Sequence, residues 1–171
     1  MTKLRKKLGL APLVAVLALV AFGGAAAFAQ RQLAGRPEVK VELAGSIERA
    51  GKRLALAEVE SVRPGEILEW QIVSLNEGTG AARDYKAVGH IPQGTAFVQG
   101  SAEAEAGSVV TYSIDNGKTF SAQPIVEEKQ PDGTVKRVPA PASMYTEVRY
   151  EWSDALAAGG KLSASYRVRV K

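Results

Sequence analysis

Beyond residue 30, apolar and polar residues alternate with a period of two along most of the chain. That spacing sends side chains to opposite faces of an extended strand. Val39, Val41 and Leu43 alternate with Glu38, Lys40 and Glu42, which predicts a half-buried strand just after Pro37. Residues 54–62 predict a second strand, closed by the turn Arg63-Pro64-Gly65. Leu68, Trp70 and Ile72 then share one face while Glu69 and Gln71 take the other. Residues 76–80, with two glycines, read as a loop, and residues 85–91 as a strand stopped by Pro92. Residues 94–98 and 109–114 continue the pattern up to Asp115-Asn116-Gly117. Asn-Gly between alternating runs is a strong hairpin signal, because both residues tolerate positive φ.

A second hairpin is expected where residues 125–129 and 135–138 flank Pro131-Asp132-Gly133. Its arms are charge-complementary, Glu127-Glu128-Lys129 against Lys136-Arg137. Pro139-Ala140-Pro141 reads as a short stiff extended segment. Residues 145–152 form a strand, and Ala158-Gly159-Gly160 turns into the clearest one, where Leu162, Ala164, Tyr166, Val168 and Val170 alternate with polar partners. No segment after residue 30 sustains a helical repeat. About eight to ten short strands, each with one apolar face, predict an all-β antiparallel sandwich of two packed sheets.

The first thirty residues depart from this pattern. Lys3, Arg5, Lys6 and Lys7 precede a largely apolar stretch over 8–22, and Ala27-Phe28-Ala29 supplies a small-x-small site before Gln30. That order fits a secretory signal peptide at 1–29, beginning in a helix. The other reading is an uncleaved membrane anchor, since the apolar region over 8–29 is long enough to cross a bilayer. Residues 30–36 then form a flexible linker and 37–171 the sandwich domain. The expected location is outside the cytoplasm, periplasmic or at the cell surface.

Charge sharpens the picture. The chain carries 22 Lys+Arg and 18 Asp+Glu, and four of the basic residues lie within the first seven positions. The segment beyond them is neutral, so composition offers no basic face for nucleic acid. Absence of cysteine excludes disulfides, thiolate metal sites, cysteine nucleophiles and an N-terminal lipidated cysteine.

Several stretches, taken together, resemble the bacterial conserved-repeat family known as "domain of unknown function eleven". They run from Val62-Arg63-Pro64-Gly65-Glu66-Ile67-Leu68-Glu69-Trp70 through Asn76-Glu77-Gly78, Ile91-Pro92-Gln93-Gly94-Thr95 and Gly100-Ser101. Tyr112-Ser113-Ile114-Asp115-Asn116-Gly117-Lys118-Thr119-Phe120 is the most specific, and Tyr145-Thr146-Glu147-Val148-Arg149-Tyr150 with the last strand closes the match. Coverage is about residues 55–171. The resemblance implies an immunoglobulin-like sandwich of the cell envelope, a module for building or binding with no established catalytic residues. Two departures stand out: Gly89-His90 where the family often has an Asp, and one copy where tandem copies are common.

Candidate chemistry is sparse. His90 is the single histidine and the one weak candidate for a metal ligand, whereas copper and zinc sites usually draw several imidazoles or thiolates. A Ser-His-Asp hydrolase lacks any local nucleophile signature. Asp115-Asn116-Gly117 lacks the repeated acids of a calcium loop. Glu58/Glu60 and Glu103/Glu105 have the spacing for paired carboxylates on one strand face, more simply a solvated face. Trp70, Tyr112, Tyr150, Trp152 and Tyr166 fall on alternating positions, as core aromatics do. Arg149, Arg167 and Arg169 are the interaction candidates, a positive stripe on the last two strands that Glu147 and Glu151 would offset.

The expected function is therefore an exported, non-catalytic structural or adhesive envelope module with no cofactor. Its expected partner is a larger envelope or surface-layer protein or a cell-wall polymer, met at an exposed strand edge unless charges such as Lys40 or Arg169 blunt it. Membrane contact would come only through an uncleaved N-terminal segment. The alternatives are a copper-type periplasmic sandwich enzyme similar in architecture to superoxide dismutases, and a polysaccharide-binding module.

Overall fold

The computed structural model describes residues 35–105 and 107–171; the signal peptide expected at 1–29, and most of the 30–36 linker, lie outside the described residues. Eleven strands follow one another: β1 (Val39–Arg49), β2 (Lys52–Ala55), β3 (Ile67–Asn76), β4 (Lys86–His90), β5 (Thr95–Phe97), β6 (Glu103–Ala104), β7 (Ser108–Ser113), β8 (Ile125–Lys129), β9 (Val135–Pro139), β10 (Glu147–Trp152) and β11 (Lys161–Val170). Two single 3-10 turns, Leu56–Glu58 and Ala142–Met144, are the helical elements among the described residues.

All strand pairs are antiparallel. One sheet runs β2-β1-β3-β11-β5 with β6 also on β11, the second is β4-β10-β7, and β8-β9 form a separate hairpin. The fold is an immunoglobulin-like antiparallel β-sandwich.

Alternation explains why the two sheets close. Leu68 and Ile72 of β3, Ala164, Tyr166 and Val168 of β11 and Ile47 of β1 are buried against Ala87 of β4 and Val148, Tyr150 and Trp152 of β10. Burying each large apolar side chain contributes about 1.5–3 kcal/mol, so these positions dominate a domain with no disulfide. Tyr85 and Tyr150 stack on Trp152 at ring-centroid distances of 5.8 and 6.2 Å. Toward the other end Phe97, Tyr112 and Tyr145 form a second aromatic group, with Tyr112 and Tyr145 4.8 Å apart. Two phenols stitch the sheets together: Tyr150 donates to the Ser165 carbonyl at 2.6 Å and Tyr166 to the His90 carbonyl at 2.5 Å.

Several expectations need correction at the level of elements. Residues 54–62 are not one strand: β2 ends at Ala55, and the 3-10 turn over Leu56–Glu58 follows. Leu56 leaves the ladder because it packs inward, over Gly45 and beside Trp70. Glu58 and Glu60 therefore do not share a strand face. Asn116 and Gly117 do take positive φ, 58° and 78°. They do not join two paired arms, however, because β7 pairs with β10 and the loop returns through a single bridge, Tyr112 to Ser121. Finally, β1 forms as expected, but Val41 and Leu43 are 54% and 56% exposed. Their faces follow the core side of β3, opposite Ser74 and Ile72, yet β2 and the short second sheet leave that end uncovered.

Candidate functional site

The three arginines do not share one stripe. Arg149 lies on β10, between Val88 of β4 and Thr111 of β7, on the face opposite buried Val148 and Tyr150. Its guanidinium sits 4.0 Å from the centre of the Phe120 ring and pairs with Glu151, which Lys86 also holds at 2.8 Å. The Lys86 hydrogen bond first, then the neighbouring positive charges, keep the Glu151 carboxyl below its usual range. Arg167 and Arg169 belong to β11 in the other sheet. Arg167 stands opposite Glu69, which Arg53 holds at 3.1 Å, in a shallow cavity of about 330 Å³ lined also by Ser46, Glu48 and Glu66. Nearby, Glu66 receives a two-pronged contact from Arg49 at 2.9 and 2.8 Å and the Arg63 amide at 2.7 Å, which hold its carboxyl down at about 2. These are charge-balanced faces.

His90 is exposed at the end of β4, with Nδ1 3.9 Å from Glu147. It borders a cleft of about 300 Å³ with Asn116, Met144, Tyr145 and Lys171. No group of three or more His, Cys, Asp or Glu able to hold a metal is gathered among the described residues. Glu103 begins β6, while Glu105 accepts bonds from the Ser163 amide and hydroxyl at 3.1 and 2.8 Å, a bracing contact.

The loop after β7 is built around Asp115. Its Oδ1 accepts from the Ser113 hydroxyl at 2.7 Å and the Thr119 amide at 2.9 Å, and its Oδ2 from the Thr119 hydroxyl at 2.6 Å. These bonds, those from Thr119 foremost, hold the Asp115 carboxyl at about 2. The Asp115 carboxylate is thus engaged within its own loop, by two hydroxyls and one backbone amide.

What alternation alone could not locate is an open strip on β1. β2 pairs only with residues 46–49, so residues 39–45 have β3 on one side and no paired strand on the other among the described residues. Exposed Val41 and Leu43 lie along that same stretch, beside Lys40 and Glu42, whose side chains pair at 3.3 Å. Arg169, by contrast, is flanked by Ile67 and Ala96 on paired strands and guards no edge. A second residue missed in sequence is Asn76, assigned there to a loop and in fact fully buried at the end of β3. Its amide NH2 is shared among the carbonyls of Gly80, Leu156 and Ala157 at 2.8–3.1 Å. Its carbonyl oxygen accepts from the Glu38 and Gly78 amides at 3.0 and 3.1 Å.

No family model, no curated protein and no solved structure matches this chain.

Proposed function

We propose that the domain is an exported, non-catalytic structural or adhesive module of the cell envelope, of the kind the conserved-repeat resemblance implies, that binds a larger surface protein or a wall polymer. The observation that supports this most is the strip over residues 39–45, which combines an unpaired strand edge with two half-exposed aliphatic side chains. An added strand finds backbone partners along such an edge and apolar area on its face. A long edge of this kind left without use is an aggregation hazard, which the Lys40–Glu42 pair restrains. The aromatics that would serve a sugar platform are instead taken up in the core, Tyr150, Trp152 and Tyr166 among them.

The test is co-sedimentation of purified protein with native envelope, separated into wall polymer and membrane-protein fractions. The double variant Val41→Lys/Leu43→Lys is expected to keep its thermal midpoint. It should bind at least about tenfold more weakly, because covering two aliphatic side chains is worth on the order of 1–3 kcal/mol. Val109→Lys, on an exposed position of the second sheet, is the control. Unchanged binding by the folded double variant would exclude the strip.

A further inference from the structure

Asn-Gly is the dipeptide most prone to spontaneous deamidation, since glycine leaves the attacking amide unhindered. The chain has two asparagines, and one of them, Asn116, precedes Gly117. Asn116 is exposed, so solvent reaches its side chain. The reaction needs the Gly117 nitrogen to attack the Asn116 side-chain carbonyl. Here that N–H donates to the Ser113 hydroxyl at 2.9 Å, and Ser113 is buried. The Asn116 backbone N–H is tethered as well, donating to Thr146 Oγ1 at 3.1 Å. The same Ser113 hydroxyl accepts from the Asp115 amide and donates to the Asp115 carboxylate, so its orientation is set from two sides.

We infer that Asn116 is a latent deamidation site, held in check in the folded domain by the Ser113 clasp on the Gly117 amide and released when the loop after β7 opens. In the open loop the Gly117 nitrogen gives up its proton and bonds to the Asn116 side-chain carbon. Ammonia leaves with that proton, forming a five-membered succinimide. Water then opens either carbonyl of the ring to give aspartate or isoaspartate, so one neutral amide becomes one carboxylate. The new charge arises beside two carboxylates. The Glu147 carboxylate lies against Gly117, so close that an added Cβ there would meet it, and Asp115 is the preceding residue. Isoaspartate also lengthens the loop backbone by one carbon, which the bonds from Ser113 and Thr146 do not accommodate. Conversion is therefore expected to loosen the end of the sandwich where the loop, Thr146 and the cleft beside His90 meet.

The experiment follows deamidation by peptide mapping and mass spectrometry in the full purified chain at neutral pH, beside a synthetic peptide spanning residues 110–121. Asn76, fully buried and followed by Glu77, is the internal control. Asn116 in the folded chain is expected to react at least about tenfold more slowly than in the peptide, since attack waits on local opening. Ser113→Ala, which removes all three bonds of that hydroxyl, is expected to accelerate the folded chain at least about fivefold, the rate equivalent of one ordinary net hydrogen bond. Equal rates in wild type and peptide, or an unchanged slow rate in a folded Ser113→Ala variant, would overturn the inference. Should that variant fail to fold, wild type alone decides. In increasing urea the Asn116 rate must rise in step with hydrogen exchange at the Gly117 amide, and a rate indifferent to that exchange would overturn the inference as well.

Discussion

Gly89 owes its place to a close approach. It lies on β4 with its vacant side toward β11, where the Tyr166 ring rests against it; a Cβ built there would collide with that ring. The ring cannot yield, because Tyr166 is almost fully buried and its hydroxyl is fixed on the His90 carbonyl one residue away. Gly89→Ala must therefore part the two sheets or tilt Tyr166 off its bond. The expected loss is about 1–3 kcal/mol, the ordinary cost of overpacking a closed core. Urea unfolding checks it, and the same substitution paired with Tyr166→Leu should recover part of the loss. A Gly89→Ala variant as stable as wild type would mean that the ring has room the contact denies. Asn76 teaches the complementary lesson: a polar residue earns burial where its amide meets five backbone groups around the ends of β3 and the 156–160 turn.

Among the elements, β8 and β9 are the least dependent on the rest. Among the described residues they pair only with each other, and both faces of the hairpin are largely exposed. Cross-strand Glu127–Arg137 and Glu128–Lys136 neighbours and the Val126–Val138 pair support it, each on the order of 0.2–1 kcal/mol. Its root is different: Pro124 and Ala140 are buried, and the Ala140 amide donates to the Pro124 carbonyl at 2.8 Å. Replacing residues 125–139 by a short Gly-Ser turn should therefore keep the thermal midpoint within about 5 °C, the shift expected for no more than ~1 kcal/mol. In wild type, amides of β8 and β9 should exchange well before those of β3 and β11. A large fall in midpoint would show that the arm supports the core.

This hairpin was legible in sequence because its determinants are local: turn residues, alternation and charge pairing within fifteen positions. So were β10 and β11, whose alternation agrees with burial along their whole length. The open strip on β1 was not legible. Val39, Val41 and Leu43 alternate as core residues do, and what decides the exposure of Val41 and Leu43 is that the second sheet has three strands where the first has six. Nor did the spacing of Arg149, Arg167 and Arg169 reveal that consecutive strands belong to different sheets.

At the scale of the whole molecule, pH acts on the fold from both sides through different groups. On the acid side, Asp115 and Glu66 sit near 2 when folded, against 3.8 and 4.5 ordinarily. As pH falls through 4.5 the unfolded chain takes up their protons first. Stability present above that pH is lost progressively toward 2. On the alkaline side the groups are tyrosines: burial raises the phenols of Tyr150 and Tyr166 well above the ordinary value of 10, and those of Tyr112 and Tyr145 above it as well. An unfolded chain releases these protons near pH 10 while the folded chain keeps them. The unfolded state then binds fewer protons, so stability falls as pH rises, by up to about 1.4 kcal/mol per pH unit for each phenol. The fold should accordingly be most stable on a plateau from roughly pH 5 to 10 and melt above it. Tyr166→Phe separates this titration from packing. It loses the bond to His90 and some stability at neutral pH, yet its alkaline slope should be shallower than wild type by about 1.4 kcal/mol per unit, as one titrating phenol has gone. Urea midpoints measured from pH 7 to 12 read both effects at once. An identical alkaline slope in wild type and Tyr166→Phe would mean that the Tyr166 phenol does not set its limit.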